Sequence, residues 1–145
     1  MEGLDYDDPK WEDLLEQLSV EDMVNLVGMG GYITVELDSI NKPQTTESEG
    51  PAGISGFMNS ISGVQYPSSV VLASTWNIEL AQERGEAVGD EALIYGIDGL
   101  MAPAMNIHRT PFSGRNFEYY SEDGYISGMI GAYTVIGLNN RGVNT

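Results

Sequence analysis

The chain has 145 residues, 41% of them hydrophobic and 19% charged, a length for one domain or a piece of one and a composition that can form a packed core. Six Lys and Arg stand against 22 Asp and Glu, a net charge of −16, which repels phosphate backbones and anionic headgroups and argues against nucleic-acid or membrane-surface partners. With no cysteine and one histidine, disulfides, thiolate zinc sites and multi-histidine metal sites are excluded; no apolar run approaches the roughly 20 residues of a membrane span.

Residues 1–10 form an acidic lead-in with Asp5, Asp7, Asp8 and Pro9. The three aspartates lack the spacing and glycine of an EF-hand loop and read as a solvated segment. Trp11, Leu14, Leu15 and Leu18 then recur at helical spacing. Ser19 to Asp22 predicts a fresh helix start, continued by Met23, Val24 and Val27 and stopped by Gly28 and the Gly30–Gly31 pair. These glycines follow a helix and lack a Lys-Ser/Thr ending, so they are not a phosphate loop.

Residues 32–66 read as irregular apart from a short strand at Ile33, Thr34 and Val35. A loop this long inside a domain points to function, and Ile54, Phe57, Met58, Ile61 and Val64 supply apolar anchors for it. Val70, Val71, Leu72 and Ala73 predict a brief buried strand. Thr75 or Asn77 caps a helix to about Tyr95, with Ile78, Leu80, Ala81, Ala87, Val88, Ala92 and Leu93 as its apolar set and Gly96 beyond its end. A strand at Leu100–Ala104 follows. After an irregular stretch over 105–120, Ser121 to Gly124 opens a helix to about Asn139, closed by Gly142. Val143 begins another strand. Strands alternating with helices predict an α/β fold with a parallel sheet and crossover helices, whose working loops follow the carboxyl ends of the strands.

The stretch from Asn106 to Asp123 is the densest in chemistry. It holds Arg109 and Arg115, His108, Tyr119, Tyr120 and several carboxylates. Fixed planar donors and acceptors bind sugar hydroxyls in pairs, and aromatic faces pack on the C–H face of a pyranose. Without a carboxylate–nucleophile pair around it, His108 reads as a hydrogen-bonding loop anchor. Tyr119 and Tyr120 either line a sugar site or pack under the loop.

Met105-Asn106-Ile107-His108-Arg109 followed by Gly114-Arg115-Asn116-Phe117-Glu118-Tyr119-Tyr120-Ser121-Glu122-Asp123 resembles the signature of glycoside hydrolase family 3, the β-glucosidase family. Gly50-Pro51-Ala52-Gly53-Ile54 resembles the family's Asp-Gly-Pro-x-Gly segment, and Tyr66-Pro67-Ser68-Ser69 through Trp76-Asn77 resembles the stretch between the two. Asp5 to Leu18 resembles members with permuted domain order. The resemblance implies residues 11–145 as the amino-terminal part of a (β/α)8 TIM-barrel-like domain. It also implies retaining hydrolysis of β-glucosides without metal or organic cofactor, by two carboxyl groups about 5–5.5 Å apart. The family nucleophile is an aspartate on a later strand, the acid/base carboxylate comes from outside the barrel, and a Lys-His-Phe motif falls just past the last helix here. None of these is in this sequence. Because a complete barrel takes roughly 250 residues, the expectation is an inactive fragment of a glycosidase.

Two substrate-binding residues carry over by resemblance. Glu49 matches the family aspartate before Gly-Pro, one methylene longer. Arg115 matches the arginine of the Gly-Arg-x-x-x-Glu run, with Glu118 as the group that holds it. The alternative is a non-catalytic sugar-binding or interaction domain on a degenerate half-barrel. Because a half-barrel leaves strand edges and a core face without partners, the isolated chain is expected to self-associate.

Overall fold

The computed structural model describes residues 3–56 and 60–145. Phe57 and Met58, read from sequence as loop anchors, lie outside the described residues. The chain divides into two compact units, one ending at Thr46 and the other beginning at Glu47.

In the first unit, helix α1 (Lys10–Leu15) is shorter than its apolar spacing predicts. Asp8 accepts from the Lys10 N–H at 2.9 Å, and the Trp11 indole donates to the Asp5 carbonyl at 2.8 Å. Helix α2 (Val20–Gly28) starts where the sequence predicts, on a capping box. The Ser19 hydroxyl accepts from the Asp22 N–H at 3.0 Å while Asp22 accepts from the Ser19 N–H at 2.9 Å. Those bonds stabilise the ionised Asp22 carboxylate and lower its pKa. Strand β1 (Ile33–Thr34) pairs antiparallel with Thr45 and Thr46, the first residues of β2 (Thr45–Glu49). The Lys42 ammonium donates to Thr34 Oγ1, the Val35 carbonyl and the Pro43 carbonyl, so its charge closes the intervening turn.

The second unit is built on parallel pairing. The remainder of β2 runs beside β3 (Gly99–Met101), with Glu47, Ser48 and Glu49 opposite Gly99, Leu100 and Met101. On the far side of β3, Leu100 N–H donates to Asn144 O at 2.8 Å and Asn144 N–H to Asp98 O at 2.9 Å, so the strand expected from Val143 begins as a parallel bridge. Three segments consecutive in the chain thus lie side by side, with helices in both connections.

Residues 69–74 are a helix, α3 (Ser69–Ser74), not the strand predicted over Val70–Ala73. A four-residue apolar run carries no period of its own. The burial pattern shows the reason: Ser69, Leu72 and Ala73 are buried while Val71 is 54% exposed, a spacing of three and four that only a helix presents to one side. Helix α4 (Ile78–Tyr95) is capped by Asn77, whose Oδ1 accepts from the Leu80 N–H at 2.9 Å, and ends on Gly96 at φ 67°. Its buried stripe is Ala81, Arg84, Gly85, Val88, Gly89 and Ala92. The expected Leu80, Ala87 and Leu93 fall outside it because this helix packs through its small residues. Helix α5 (Gly124–Asn140) is capped by Asp123, which accepts from the Ile126 N–H at 2.8 Å.

Glycines set the closeness of α4 and α5. A Cβ on Gly85 would run into the Thr134 carbonyl oxygen, and one on Gly137 into the Gln82 carbonyl oxygen and, at 2.8 Å, the Glu86 nitrogen. The core lies in two clusters, one around Ile54, Val88, Ile97, Leu100, Leu138 and Val143, the other around Leu72, Ala81, Tyr120 and Ile130. Among the described residues no helix is long and apolar enough to cross a membrane.

Candidate functional site

Strand alternation puts Ser48 and Leu100, both buried, against the helices. Glu47, Glu49 and Met101 therefore lie on the opposite sheet face, where an open groove of about 600 Å³ runs past Glu47, Met101, Met105 and Asn144. Glu49 is the last residue of β2 and stands beside Met101, the last of β3. The turn after Glu49 is anchored tightly. Ser55 N–H donates back to the Glu49 carbonyl at 3.0 Å and Tyr66 N–H to the Ala52 carbonyl at 3.0 Å.

Arg115 sits in the loop between β3 and α5, so both predicted sugar contacts lie at the carboxyl end of the parallel strands. The loop leaves β3 through a cis Ala102–Pro103 bond and folds on His108. The His108 Nε2 lies 2.9 Å from the Asn116 carbonyl and 3.2 Å from that of Tyr119, while its backbone N–H donates to Ser121 O at 3.1 Å. Both ring partners are acceptors, so Nε2 carries the proton. His108 is thus the loop anchor expected of it. Asn116 adds a bond from Nδ2 to the Thr110 carbonyl at 2.7 Å.

These bonds enclose a single 3₁₀ turn, Asn116–Glu118, at whose entrance Arg115 stands. Arg115 donates from Nε (3.0 Å) and Nη2 (2.5 Å) to Glu118 Oε2, which makes Glu118 its holder as the sequence pattern predicts. The Arg115 side chain is 67% exposed, that of Glu118 only 16%, so the carboxylate is the fixed partner and the guanidinium faces outward. The Arg115 pKa is raised first by the hydrogen bond and charge of Glu118, then by Tyr119 and by the negative charge of Glu49. Tyr120 is buried, with its hydroxyl 3.2 Å from Thr134 Oγ1, and burial raises its pKa; it packs under the loop. No cluster of three metal-ligating side chains occurs among the described residues.

Sequence reasoning missed two supports of this end. The Pro51 carbonyl, two residues past Glu49, accepts from Arg84 Nη2 at 2.8 Å and from Ser69 Oγ at 3.2 Å. Ser69 lies in the Tyr66–Ser69 segment of the family resemblance, which gave it no role; for Arg84 the signal available was an arginine falling on the buried stripe of α4.

Residues 38–145 match the family described as glycosyl hydrolase family 3 N terminal domain. The chain belongs to glycosyl hydrolase family 3. It is 36% identical over 135 residues to beta-glucosidase B of Emericella nidulans, and equally so to a putative beta-glucosidase of Schizosaccharomyces pombe. Each match covers 91% of this chain but only 16% of the relative, so the family member described here spans about one sixth of the length of these curated relatives. Among solved structures, a beta-glucosidase from Thermotoga neapolitana in complex with glucose matches at 38% identity and a TM-score of 0.78, over 92% of this chain and 22% of that one. A beta-glucosidase from Kluyveromyces marxianus in complex with glucose matches at 30% identity and a TM-score of 0.81, over 89% and 16%. The α/β arrangement of this family 3 chain is thus the one found in the corresponding part of those enzymes.

Proposed function

We propose that these residues belong to a retaining β-glucosidase-type glycoside hydrolase that cleaves O-glycosyl bonds of β-glucosides or related oligosaccharides without metal or organic cofactor. Residues 11–145 form the amino-terminal part of its (β/α)8-type barrel domain. Glu49 and Arg115 hold hydroxyls of the non-reducing sugar, one as acceptor and one as donor. The attacking and protonating carboxyl groups belong to polypeptide outside these residues, so this chain alone is inactive. What supports the reading is the placement of Glu49 at the carboxyl end of β2, beside β3, and of Arg115, held by Glu118, in the loop that follows β3. A hydroxyl-rich ligand is bound by such a pair of opposite charges at the carboxyl end of parallel strands.

The experiment is hydrolysis of a chromogenic β-glucoside by the 145-residue chain and by the intact gene product. Turnover is expected only from the second; turnover by the shorter chain overturns the assignment of the reacting groups to outside polypeptide. The extra methylene of Glu49 favours a second reading, a non-catalytic sugar-binding or interaction domain. Under it, the intact product binds glucose without hydrolysing the glucoside.

A further inference from the structure

Among the described residues classed as buried, Arg84 is the only charged one, at 9% exposure. No carboxylate pairs with it among the described residues. Its neighbours are the Tyr66 ring, with the guanidinium carbon 5.7 Å from the centroid, and Tyr120. Burial without a counter-charge lowers its pKa and makes the guanidinium a cost to folding. What the side chain gains is one directed bond, from Nη2 to the Pro51 carbonyl at 2.8 Å.

That bond joins helix α4 to the turn leaving Glu49. Around it the packing is tight. The pocket bounded by Gly50, Pro51, Arg84, Ala102 and Tyr120 has about 10 Å³, room for one water at most. A Cβ on Gly50 would stand 3.2 Å from Leu100 Cδ2, so the turn lies directly on β3. The Tyr66 N–H holds the next carbonyl, Ala52, and the Tyr66 ring lies against the guanidinium.

We propose that Arg84 is a positioning residue for sugar binding, gripping the Pro51 carbonyl from the helix side of the sheet and so setting where the Glu49 carboxylate stands relative to Arg115. The inference rests on the reading of Glu49 and Arg115 as sugar contacts. It separates from a purely structural role by sign. Arg84→Met fills much of the same volume, removes an uncompensated buried charge and leaves Ser69 to satisfy Pro51, so it keeps or raises stability. A structural clamp would lose stability instead.

The test is steady-state hydrolysis of a chromogenic β-glucoside by the intact gene product, with thermal midpoints for every variant. Arg84→Met is expected to raise KM about tenfold with little change in kcat and no drop in midpoint. Arg84→Lys, which keeps a donor but loses the planar fork, should fall between. Unchanged KM in Arg84→Met overturns the proposal. A lowered midpoint in that variant also overturns it. Failure of Arg84→Met to fold overturns it likewise, since it marks Arg84 as a structural clamp; unchanged KM in a folded Arg84→Lys and Arg84→Met pair does the same. Glu49→Gln and Arg115→Lys report on the underlying reading. If neither raises KM, or the intact product turns over no glucoside, that reading fails and this one with it. If they raise KM and the Arg84 variants do not, only the positioning role fails.

Discussion

Arg115 places two donors, Nε and Nη2, on one oxygen of Glu118, three residues further along the same 3₁₀ turn. Two bonds to one oxygen fix the direction of the guanidinium. The two carbonyls that His108 gathers, of Asn116 and Tyr119, flank Glu118, so the direction of the guanidinium is set by loop closure and not by core packing.

Replacing Glu118 by Ala should therefore alter recognition more than stability. The expected result is a several-fold rise in KM for a β-glucoside in the intact gene product with an unchanged thermal midpoint. Exposed ion pairs contribute little to folding, which is why the two measurements should part.

The α4–α5 crossing should tolerate no added methyl group. Gly137→Ala would press a Cβ against the Gln82 carbonyl and the Glu86 nitrogen, both backbone atoms that cannot swing aside. A loss of about 1–3 kcal/mol is expected in chemical denaturation, with an unchanged slope. Gly114→Ala, where nothing lies within 4 Å of the added Cβ, serves as the neutral control.

Acid should loosen the same crossing through Glu86. Its carboxylate accepts from Gln82 and from Asn140, each at 3.0 Å, and pairs with Arg141 at 3.3 Å, and these partners lower its pKa below the model-peptide value of 4.5. A depressed folded-state pKa adds stability above the unfolded value, lost as pH falls through the folded one. Denaturation midpoints taken between pH 7 and about pH 3 should decline more steeply for the parent chain than for Glu86→Gln.

The isolated chain should self-associate. Met101 and Met105 are 45% and 47% exposed along the open groove beside β3, and Trp76 is 76% exposed. Sedimentation velocity across a range of concentrations is expected to show a rising mean mass; a single monomeric boundary throughout would sink the expectation.

Much of this chain is written locally. Ser19 with Asp22, Asn77 with Gly96, and Asp123 announce three helices because a cap is made by residues within four positions of one another. The Gly-Arg-x-x-x-Glu run likewise names its own ion pair, since both partners share one turn. Strand β2 was invisible in the sequence: Thr45 to Glu49 has no apolar alternation, and its pairing is supplied by β1 and β3, the latter some 50 residues on. The apolar run at 70–73 became a helix because the surfaces offered to it cover Ser69, Leu72 and Ala73, a choice made by packing rather than by propensity.

The sequence by itself determined the family and the caps that open α2, α4 and α5, because each is encoded by neighbours along the chain. Only the tertiary structure decided that β2, ending at Glu49, lies beside β3, from which the Arg115 loop leaves, and that Arg84 and Ser69 grip the turn after Glu49. Those relationships join residues 18 to 52 positions apart, and a contact of that span exists only once β2, β3 and their helices have packed, since no local rule of spacing reports it.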